Sequence, residues 1–576
     1  MNNPATNKVF ARSATPSLAH TPSLFPEFEA HEKSGVVYTR SWVVDLVLEL
    51  AGYCPELDLA GRLAIEPAAG EGAFLLPMAR RLIASCRLHG HSLSECRSAL
   101  LGYEVEEGSA ARMRASLEAL LCGEGLSSST ARSLAGSWVR VGDFLLERDC
   151  LPHADFVIGN PPYVRLEDID PAACATYRAR YKTMVGRADL YIAFFEAALK
   201  QLKPEGVCAF ICADRWMLNQ YGAQLRCLIT SAFNLQAVVE MHNADAFDME
   251  VSAYPAVTII RREQQGVAVV ASANPQLNTV DGAELASALN AVRTLSRADQ
   301  VGINGVQAAR VETWFSGADP WPCVSPERLA LLKRLEAEFP PLESAETQTV
   351  VGIGVATGCD AVYIAKHTAL VEADRLLPLA MAQDAKAGRF TWSGHYLINP
   401  WDEEGLVSLS DYPQLAAYFK VHQERLKNRN VGQRSPERWY RTIDRVNMKL
   451  LHKHKLYFPD IKNTIYPVLD RGKTYPHHNL YFVQSDTWDM EVLGGLLLSS
   501  VAQFFVECYG VRMRGGYLRF QAQYLRRIRV PGPETISEEQ AQELREAFRL
   551  HDVDSATRVA LALYRIDTLT GAILGH

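Results

Sequence analysis

The four residues Asn160, Pro161, Pro162 and Tyr163 combine groups that could bind and activate an amine. The side chain of Asn160 and the backbone of Pro161 each offer a carbonyl oxygen, and Tyr163 offers a flat ring. These groups suit a planar base with an exocyclic amine, because each amine hydrogen finds an acceptor while the base stacks on the ring. The same four residues are also compatible with a rigid loop that binds no ligand.

The segment before this motif predicts how the motif is positioned. Residues 156–158 are Phe, Val and Ile, a short apolar run typical of a buried strand. The strand should end at Gly159, because the prolines that follow lack an amide hydrogen and restrict the residue before them. Ligands of open α/β sheets bind beyond the carboxyl ends of the strands, so the motif falls where a ligand site is expected.

A similar strand and loop lie nearer the start of the chain. Residues 62–66 form a short apolar strand that ends on Glu66, and residues 67–74 form a small-residue loop with Gly70 and Gly72. Such a loop before a helix is typical of a Rossmann-like unit, in which glycine lets the backbone approach a ligand closely. The loop is not Gly-x-Gly-x-x-Gly and no Lys-Ser or Lys-Thr pair follows it, which argues against dinucleotides and triphosphates. A plain tight turn is the alternative interpretation.

Two further strands also end near acidic residues. Residues 99–105 contain Glu104, which could accept hydrogen bonds from a ribose diol. Residues 138–141 precede Asp143, which could accept a hydrogen bond from an adenine amine, and Phe144, which could lie against the ring. A helix cap or a solvated turn would explain each acid taken singly. If these strands are parallel neighbours, one edge of the sheet gathers the acids and the Asn-Pro-Pro-Tyr turn.

The charge distribution indicates a nucleic-acid partner that the net charge of −7 alone would not suggest. Residues 420–478 hold fourteen basic and five acidic residues, a net charge of +9, so the rest of the chain is near −16. Basic residues alternating with aromatic ones suit a DNA-facing surface, although a merely solvated basic face is the alternative. The candidate DNA contacts here and in a second basic cluster are Arg438, Arg441, Lys453, Lys455, Arg512 and Arg514.

Along the chain, the loop at residues 67–74 precedes the Asn-Pro-Pro-Tyr motif, and a long region follows both. In this chain order, the motifs resemble those of gamma-class adenine-specific (N6-adenine) DNA methyltransferases of restriction-modification systems, of type II or type IIG-like organisation without a nuclease. Residues 66–75 resemble the loop that binds S-adenosylmethionine in that family. Thr39 lies in a segment that resembles Tyr-Thr-Pro, with Arg40 in place of the proline. Residues 187–196 resemble an Asp-Leu-Tyr helix of the family, and residues 202–216 resemble the strand after it. Residues 247–253 resemble a segment with a second aromatic residue, and residues 351–363 resemble the start of a DNA-recognition half.

The resemblance implies a cofactor, a target and a role for each motif. The cofactor is S-adenosyl-L-methionine, and the residues expected to hold it are Thr39, Glu66, Ala68, Gly70, Glu104, Asp143, Phe144 and Phe194. The expected catalytic residues are Asn160, Pro161, Pro162 and Tyr163, with the Asn160 side chain and the Pro161 carbonyl binding the target amine. Tyr163 and Phe247 are expected to stack on an adenine flipped out of double-stranded DNA. Direct methyl transfer needs no covalent nucleophile.

The expected fold class is α/β: a Rossmann-like S-adenosylmethionine-dependent methyltransferase domain followed by a mixed α+β DNA target-recognition domain. At 576 residues, the chain is long enough for about two to four domains. We predict a flexible N-terminal tail at residues 1–34 and the catalytic domain at residues 35–262. A connector with some added structure follows at residues 263–345, then the target-recognition domain at residues 346–532 and a C-terminal helical segment at residues 533–576.

The expected function is site-specific methylation that protects host DNA. Alternatives with the same motif are methylation of ribosomal RNA, of a protein glutamine or of a cytosine amine; a non-catalytic DNA-binding subunit is a further one. Too few residues precede Gly35 for a nuclease domain, so we expect no cleavage activity. The partner that such an enzyme could have is a separate cognate restriction endonuclease acting on the same site.

Other sequence features concern location and ligands. The scattered cysteines favour reduced thiols and a cytoplasmic protein. We also expect a monomer. The pair His477-His478 lacks a matching ligand set in the sequence, so no metal is expected. No membrane span is expected either, because the apolar residues 493–506 are interrupted by polar ones and suit a core helix.

Overall fold

The computed structural model describes residues 39–242, 244–248, 254–273, 281–295, 300–303, 305–312, 316–322, 324, 326–368, 370–385, 389–510 and 517–567. The predicted tail over residues 1–34, residues 249–253 of the aromatic segment, and the predicted DNA contacts Arg512 and Arg514 lie outside the described residues.

A ten-stranded sheet organises the first half of the chain. Its strands are β1 (Ala64–Glu66), β2 (Leu100–Glu104), β3 (Val139–Val141), β4 (Ala154–Gly159), β5 (Leu202–Ala213), β6 (Asn234–Glu240), β7 (Pro255–Arg261), β8 (Ala268–Ala273), β9 (Gln300–Ile303) and β10 (Val306–Val311). The strand order is β3-β2-β1-β4-β5-β7-β6-β8-β10-β9. Strands β1 to β5 are parallel neighbours, whereas β7 runs antiparallel to both β5 and β6.

Helices cover both faces of this sheet, which is why its central strands are apolar throughout. The helices are α1 (Ser41–Ala51), α2 (Leu75–His89), α3 (Glu107–Gly123), α4 (Ser128–Trp138), α5 (Phe144–Glu147), α6 (Pro171–Arg180), α7 (Tyr191–Gln201), α8 (Ala223–Ala232) and α9 (Gly282–Arg293). Buried residues of α1 to α4 and α9 form a core on one face, and those of α5, α7 and α8 form a core on the other. This is the doubly wound arrangement, with ligand sites expected at the carboxyl ends of the parallel strands.

The segment predicted as a connector extends the same sheet. Strands β8, β9 and β10 all lie in it, and β8 pairs in parallel with β6. Helix α9 packs against α1 so closely that a Cβ atom at Gly282 would lie 2.0 Å from the carbonyl oxygen of Trp42. Only glycine permits this approach. The close packing of α9 on α1 fixes the segment against the catalytic half.

The second half of the chain contains three smaller sheets. The strands are β11 (Thr349–Ile353), β12 (Ile364–Ala365), β13 (Leu376–Ala380), β14 (Tyr396–Ile398), β15 (His454–Pro459), β16 (Ile461–Lys462), β17 (Val468–Arg471), β18 (Tyr475–Pro476), β19 (Leu480–Ser485) and β20 (Leu518–Arg519). The sheets have the orders β11-β19-β15-β17, β12-β14-β13-β18 and β16-β20.

Helices and two separate apolar cores complete this half. The helices are α10 (Pro326–Glu338), α11 (Asp360–Tyr363), α12 (Pro413–Val421), α13 (Gln423–Lys427), α14 (Asn430–Arg434), α15 (Met448–Leu451), α16 (Met490–Leu498), α17 (Ser500–Tyr509), α18 (Ala522–Leu525), α19 (Glu538–Leu550) and α20 (Val553–Leu563). The predicted fold class, a Rossmann-like α/β domain followed by a mixed α+β domain, is confirmed.

In the described part of the chain, no single helix has both the length and the apolar composition needed to cross a membrane. The bent pair α16 and α17, whose axes meet at 64°, meets the length and composition requirement only when both helices are counted together.

Candidate active site

The sheet brings the predicted strand-end residues to one edge. Strand β1 pairs with β2 and with β4, and β2 pairs with β3, all in parallel. Glu66 and Glu104 are therefore the last residues of two adjacent strands, and Asp143 and Asn160 follow the carboxyl ends of their two neighbours. A Cβ atom built on Gly159 would lie 3.3 Å from Cγ of Glu66, so the Asn-Pro-Pro-Tyr turn begins directly beside that acid.

The carboxylate of Glu104 holds the small-residue loop in place. The backbone amide of Gly70 donates to Oε2 of Glu104 at 2.8 Å, and the amide of Glu106 donates to Oε1 at 2.8 Å. Gly70 has φ +53°, a left-handed conformation that favours glycine. Each carboxylate oxygen keeps a second lone pair, so Glu104 can also accept from a ligand hydroxyl. The next residue, Val105, is 71% exposed, an apolar surface at this edge that the sequence analysis missed.

Glu66 is a buried acid with spare acceptor capacity. Its side chain is 2% exposed, and Oε2 has no hydrogen-bond partner among the described residues. Burial raises the pKa of Glu66 well above its usual range, although hydrogen bonds from the backbone amides of Leu75 and Phe74 oppose the rise. An unsatisfied buried acceptor is costly, so this position favours a ligand that brings a donor or a positive charge.

Asp143 serves as a helix cap and also contacts a residue that the sequence analysis did not identify. Its Oδ1 accepts from the amide of Leu145 at 2.8 Å, which caps α5. Its Oδ2 accepts from the hydroxyl of Tyr177 on α6 at 2.6 Å. Phe144 is buried, and its ring stacks on that of Phe194 with centroids 6.4 Å apart. This aromatic pair forms part of the wall behind Asp143.

The amide of Asn160 is oriented by a residue from the start of the described chain. Nδ2 of Asn160 donates to Oγ1 of Thr39 at 3.2 Å. Thr39 is itself buried and forms an isolated antiparallel bridge with Phe247. Because this hydrogen bond uses the amide nitrogen, the carbonyl oxygen Oδ1 of Asn160 is directed away from Thr39. Pro161 is buried and Pro162 is half-buried, so the backbone of the turn is enclosed.

Arg40 ties the segment of Thr39 to the segment of Phe247. Its backbone amide donates to the carbonyl of Ala246 at 3.1 Å, and its Nε donates to the carbonyl of Phe247 at 3.1 Å. Its guanidinium also pairs with Asp245 at 2.7 Å. Proline at this position could make none of these contacts. The sequence showed Arg40 in place of proline, but it did not show these contacts of Arg40 with residues 245–247.

The two aromatic residues expected to stack on a base contact each other. The rings of Tyr163 and Phe247 lie edge to face, with centroids 6.3 Å apart and planes at 80°. The hydroxyl of Tyr163 donates to the carbonyl of Ile211 at 3.4 Å. Phe247 is 4% exposed. Ala68, the remaining predicted cofactor residue, packs partly buried against the core.

A charged histidine anchors the segment that carries Phe247. His242 follows β6 and contacts Asp214 through Nε2 at 2.6 Å and Glu240 through Nδ1 at 2.7 Å. Burial alone would lower the pKa of His242, but the hydrogen bonds to the two acids outweigh it and raise the pKa to about 10. The imidazolium thus separates two carboxylates that would otherwise repel each other.

This cluster predicts a pH-dependent stability. The folded-state pKa lies above the unfolded value, so the stabilisation is complete below about pH 6.5 and is lost as the pH rises towards 10. We expect His242→Gln to cost on the order of a few kcal/mol at pH 7, and much less at pH 10. Thermal unfolding of both proteins across this range measures the difference. The control His91→Gln, at a surface pair with Asp58, should show no such convergence, and a constant cost for His242→Gln would contradict the assignment.

The predicted DNA contacts differ in their environments. Arg438 is exposed, with its guanidinium 6.0 Å from the ring centroid of Trp401. Arg441 is half-buried and lies 5.7 Å from the same ring, while its Nε donates to the carbonyl of Thr442. Lys453 is half-buried and pairs with Asp486. All three reach the surface of the second half of the chain.

The prediction that Lys455 contacts DNA is wrong. Its side chain is fully buried and forms an ion pair of 2.9 Å with Asp470, which is also buried. Nζ donates in addition to the carbonyls of Lys453 and Leu451. Both faces of strand β15 are covered, and residues 455–459 are all buried, which a count of basic residues could not reveal.

Known proteins with similar sequences are methyltransferases. The family model described as Eco57I restriction-modification methylase matches residues 153–247. The chain is 42% identical to the Type II methyltransferase M.PaeR7I of Pseudomonas aeruginosa, over 99% of this chain and 98% of that protein. It is 41% identical to the Type II methyltransferase M.XhoI of Xanthomonas vasicola, over 93% of this chain and 98% of that protein.

A solved structure with a similar fold is that of the Type IIL restriction-modification enzyme MmeI in complex with DNA. The similarity covers 93% of this chain and 75% of that chain, with a TM-score of 0.56 and 13% sequence identity. At this level of identity the likeness concerns the fold alone.

Proposed function

The chain belongs to the Type II methyltransferases of restriction-modification systems, and from this premise we propose that it methylates the exocyclic N6 amine of adenine within a specific sequence of double-stranded DNA. The observation that carries the proposal is the position of the Asn-Pro-Pro-Tyr turn. It begins beside the buried acid Glu66, at the edge where Glu104 and Asp143 also lie, and Thr39 orients the amide of Asn160.

The turn activates the amine by accepting its hydrogens. The lone pair of an adenine amine is delocalised into the ring, which makes the nitrogen a poor nucleophile. Oδ1 of Asn160 and the carbonyl oxygen of Pro161 accept the two amine hydrogens and draw the nitrogen towards a tetrahedral geometry. Its lone pair is then directed at the methyl donor. The contribution of these residues is positioning and electrostatic stabilisation, not covalent catalysis.

The same edge of the sheet fits S-adenosyl-L-methionine, which supplies an electrophilic methyl group on a sulfonium when bound. The unsatisfied Oε2 of Glu66 suits the ammonium of the methionine part, and Glu104 suits the ribose hydroxyls. Gly70 exposes backbone in a left-handed conformation between these two acids. Asp143 retains acceptor capacity for the adenine amine of the cofactor, and the exposed Val105 offers an apolar contact for its ring.

Tyr163 and Phe247 bind the flipped base in this proposal. Their rings contact each other edge to face, so a base that enters between them must separate the rings and turn at least one of them. Unstacking the base from the duplex costs a few kcal/mol, which stacking and phosphate contacts offset. Arg40 and Thr39 would guide this rearrangement, because both are tied to the segment of Phe247.

We propose that residues 346–532 recognise the DNA sequence. Arg438, Arg441 and Lys453 reach the surface there and would bind phosphates. We further propose that the protein acts as a cytoplasmic monomer and that a separate endonuclease cleaves the same site when it is unmodified. Methylation would then protect host DNA.

The identity of the methylated base tests the proposal. Genomic DNA from cells expressing the protein should contain N6-methyladenine at one short sequence, detected by mass spectrometry of nucleosides and by single-molecule sequencing. Detection of N4-methylcytosine in place of N6-methyladenine would show that the target base is cytosine and would contradict the proposed adenine specificity. Methylation of RNA or protein in place of DNA, or no methylation at all from a protein that binds S-adenosylmethionine, would contradict the proposal.

A further inference from the structure

Three potential metal ligands meet in the second half of the chain, and none of them belongs to the candidate active site. They are Asp360 at the start of α11 and His477 and His478 directly after β18. One ligand atom from each side chain lies within 4.8 Å of the other two. Nε2 of His477 is 3.1 Å from Oδ2 of Asp360, and the two imidazole centroids are 4.0 Å apart.

Two imidazole nitrogens in this cluster make no hydrogen bond to the part of the chain that the structure describes. Nδ1 of His477 and Nδ1 of His478 are buried atoms with no hydrogen-bond partner among the described residues. His477 as a whole is 1% exposed. Buried polar atoms are rarely left unsatisfied, because the lost hydration is not recovered, so these histidines favour a bound ligand that would accept a lone pair from a nitrogen facing it. Neutral imidazole nitrogens are also the protein ligands that divalent transition metals prefer.

The backbone fixes the two histidines before any ion binds. The amide of His477 donates to the carbonyl of Ala380 at 3.0 Å, and the amide of His478 donates to the carbonyl of Val355 at 3.1 Å. These contacts hold the two histidines between the end of β13 and the residues that follow β11. The side chains can therefore converge without the entropic cost of ordering a mobile loop.

Asp360 is held in a comparable way. Oδ1 of Asp360 accepts from Oγ1 of Thr357 at 2.5 Å, and Thr357 is fully buried. Hydrogen bonds from neighbouring residues that orient a ligating carboxylate are a regular feature of metal sites. Because one oxygen is bound by Thr357, the other oxygen is directed at His477.

We propose that Asp360, His477 and His478 bind one divalent transition-metal ion, with zinc as the best match. One carboxylate and two imidazoles are a common zinc ligand set, and a fourth position would take water because Asp360 is exposed. The ion links the start of α11 to the residues between β18 and β19, and Asp360 and His477 are 117 residues apart in sequence. Its role is to stabilise this domain, independently of methyl transfer.

The test uses the full chain without a histidine tag, treated with EDTA and then dialysed. Calorimetric titration with zinc chloride should give one tight site per chain. With free zinc roughly 100-fold above its Kd, the unfolding temperature of the second half should rise by about 5 °C or more. Cobalt(II) bound at the same site should give visible absorption bands that zinc displaces.

Asp360→Asn keeps the size of the side chain and a hydrogen bond to His477 but removes the anionic ligand. This variant, and separately His478→Gln, should lose the tight site while keeping the unfolding temperature of the metal-free protein. His454→Gln, which removes an exposed histidine of the same half, should keep the site. The proposal is overturned if the wild-type protein binds no zinc, or if Asp360→Asn and His478→Gln bind it as tightly as the wild type does.

Discussion

Asn160→Ala is expected to reduce kcat for DNA methylation by at least about 100-fold, the usual cost of removing one preorganised polar group from a transition state. The substitution removes the side-chain oxygen that accepts one amine hydrogen, so the target nitrogen keeps its planar, delocalised form. Affinity for S-adenosylmethionine should stay close to that of the wild type, because Glu66, Glu104 and Asp143 are unchanged. Transfer of labelled methyl groups to a DNA duplex measures the first quantity, and calorimetry measures the second.

Thr39→Val separates a catalytic role from a structural one. In the rigid-loop interpretation, Asn160 acts only through its hydrogen bond to Thr39, and both substitutions remove that bond. The two variants would then lose activity to a similar extent. In the catalytic interpretation, Thr39→Val keeps Oδ1 of Asn160 as an acceptor, so its loss of kcat should be far smaller. Because Thr39 is also an expected cofactor residue, kcat is compared at saturating S-adenosylmethionine. Equal losses, or normal turnover by Asn160→Ala, would contradict the proposed role of this side chain.

The edge of the sheet was predictable because it depends on local sequence patterns. Each of Glu66, Glu104, Asp143 and Asn160 lies at or just after the end of a short apolar strand. Parallel strands bring their carboxyl ends to the same edge of the sheet. The segment at residues 263–345 was harder to interpret. Its strands are short and pair mainly with one another or with β6, so only the assembled sheet shows that they extend it.

The contacts that were missed join residues distant in sequence. Tyr177 meets Asp143 across 34 positions, Asp360 meets His477 across 117, and Arg40 meets Phe247 across 207. Periodicity and motif spacing report on neighbours along the chain, whereas these partners are determined by how whole elements pack. The sequence therefore indicated which acids and amides lie at this edge of the sheet, but not which residues hold each of them in place.

Lys455→Met is expected to lower the stability of the second half of the chain by about 3–5 kcal/mol, the usual cost of breaking a buried ion pair from one side. Burial lowers the pKa of Lys455, and Asp470 opposes this effect by favouring the charged form. Without the ammonium, Asp470 stays buried. Its remaining donors among the described residues are the amides of Lys473 and Thr474 and the hydroxyl of Tyr457. The fall in Tm should be about 10 °C for a domain of this size.

Arg438→Ala should have the opposite profile, and this contrast decides which basic residues bind DNA. Arg438 is exposed and its removal should leave Tm unchanged, but the slope of log Kd against log salt for DNA binding should fall by about one unit. Lys455→Met, measured below its Tm, should keep the wild-type slope because a buried ammonium releases no counterion from a phosphate. A reduced slope for Lys455→Met with unchanged stability would mean that this side chain leaves the interior to contact DNA, and would contradict the buried ion pair as its role.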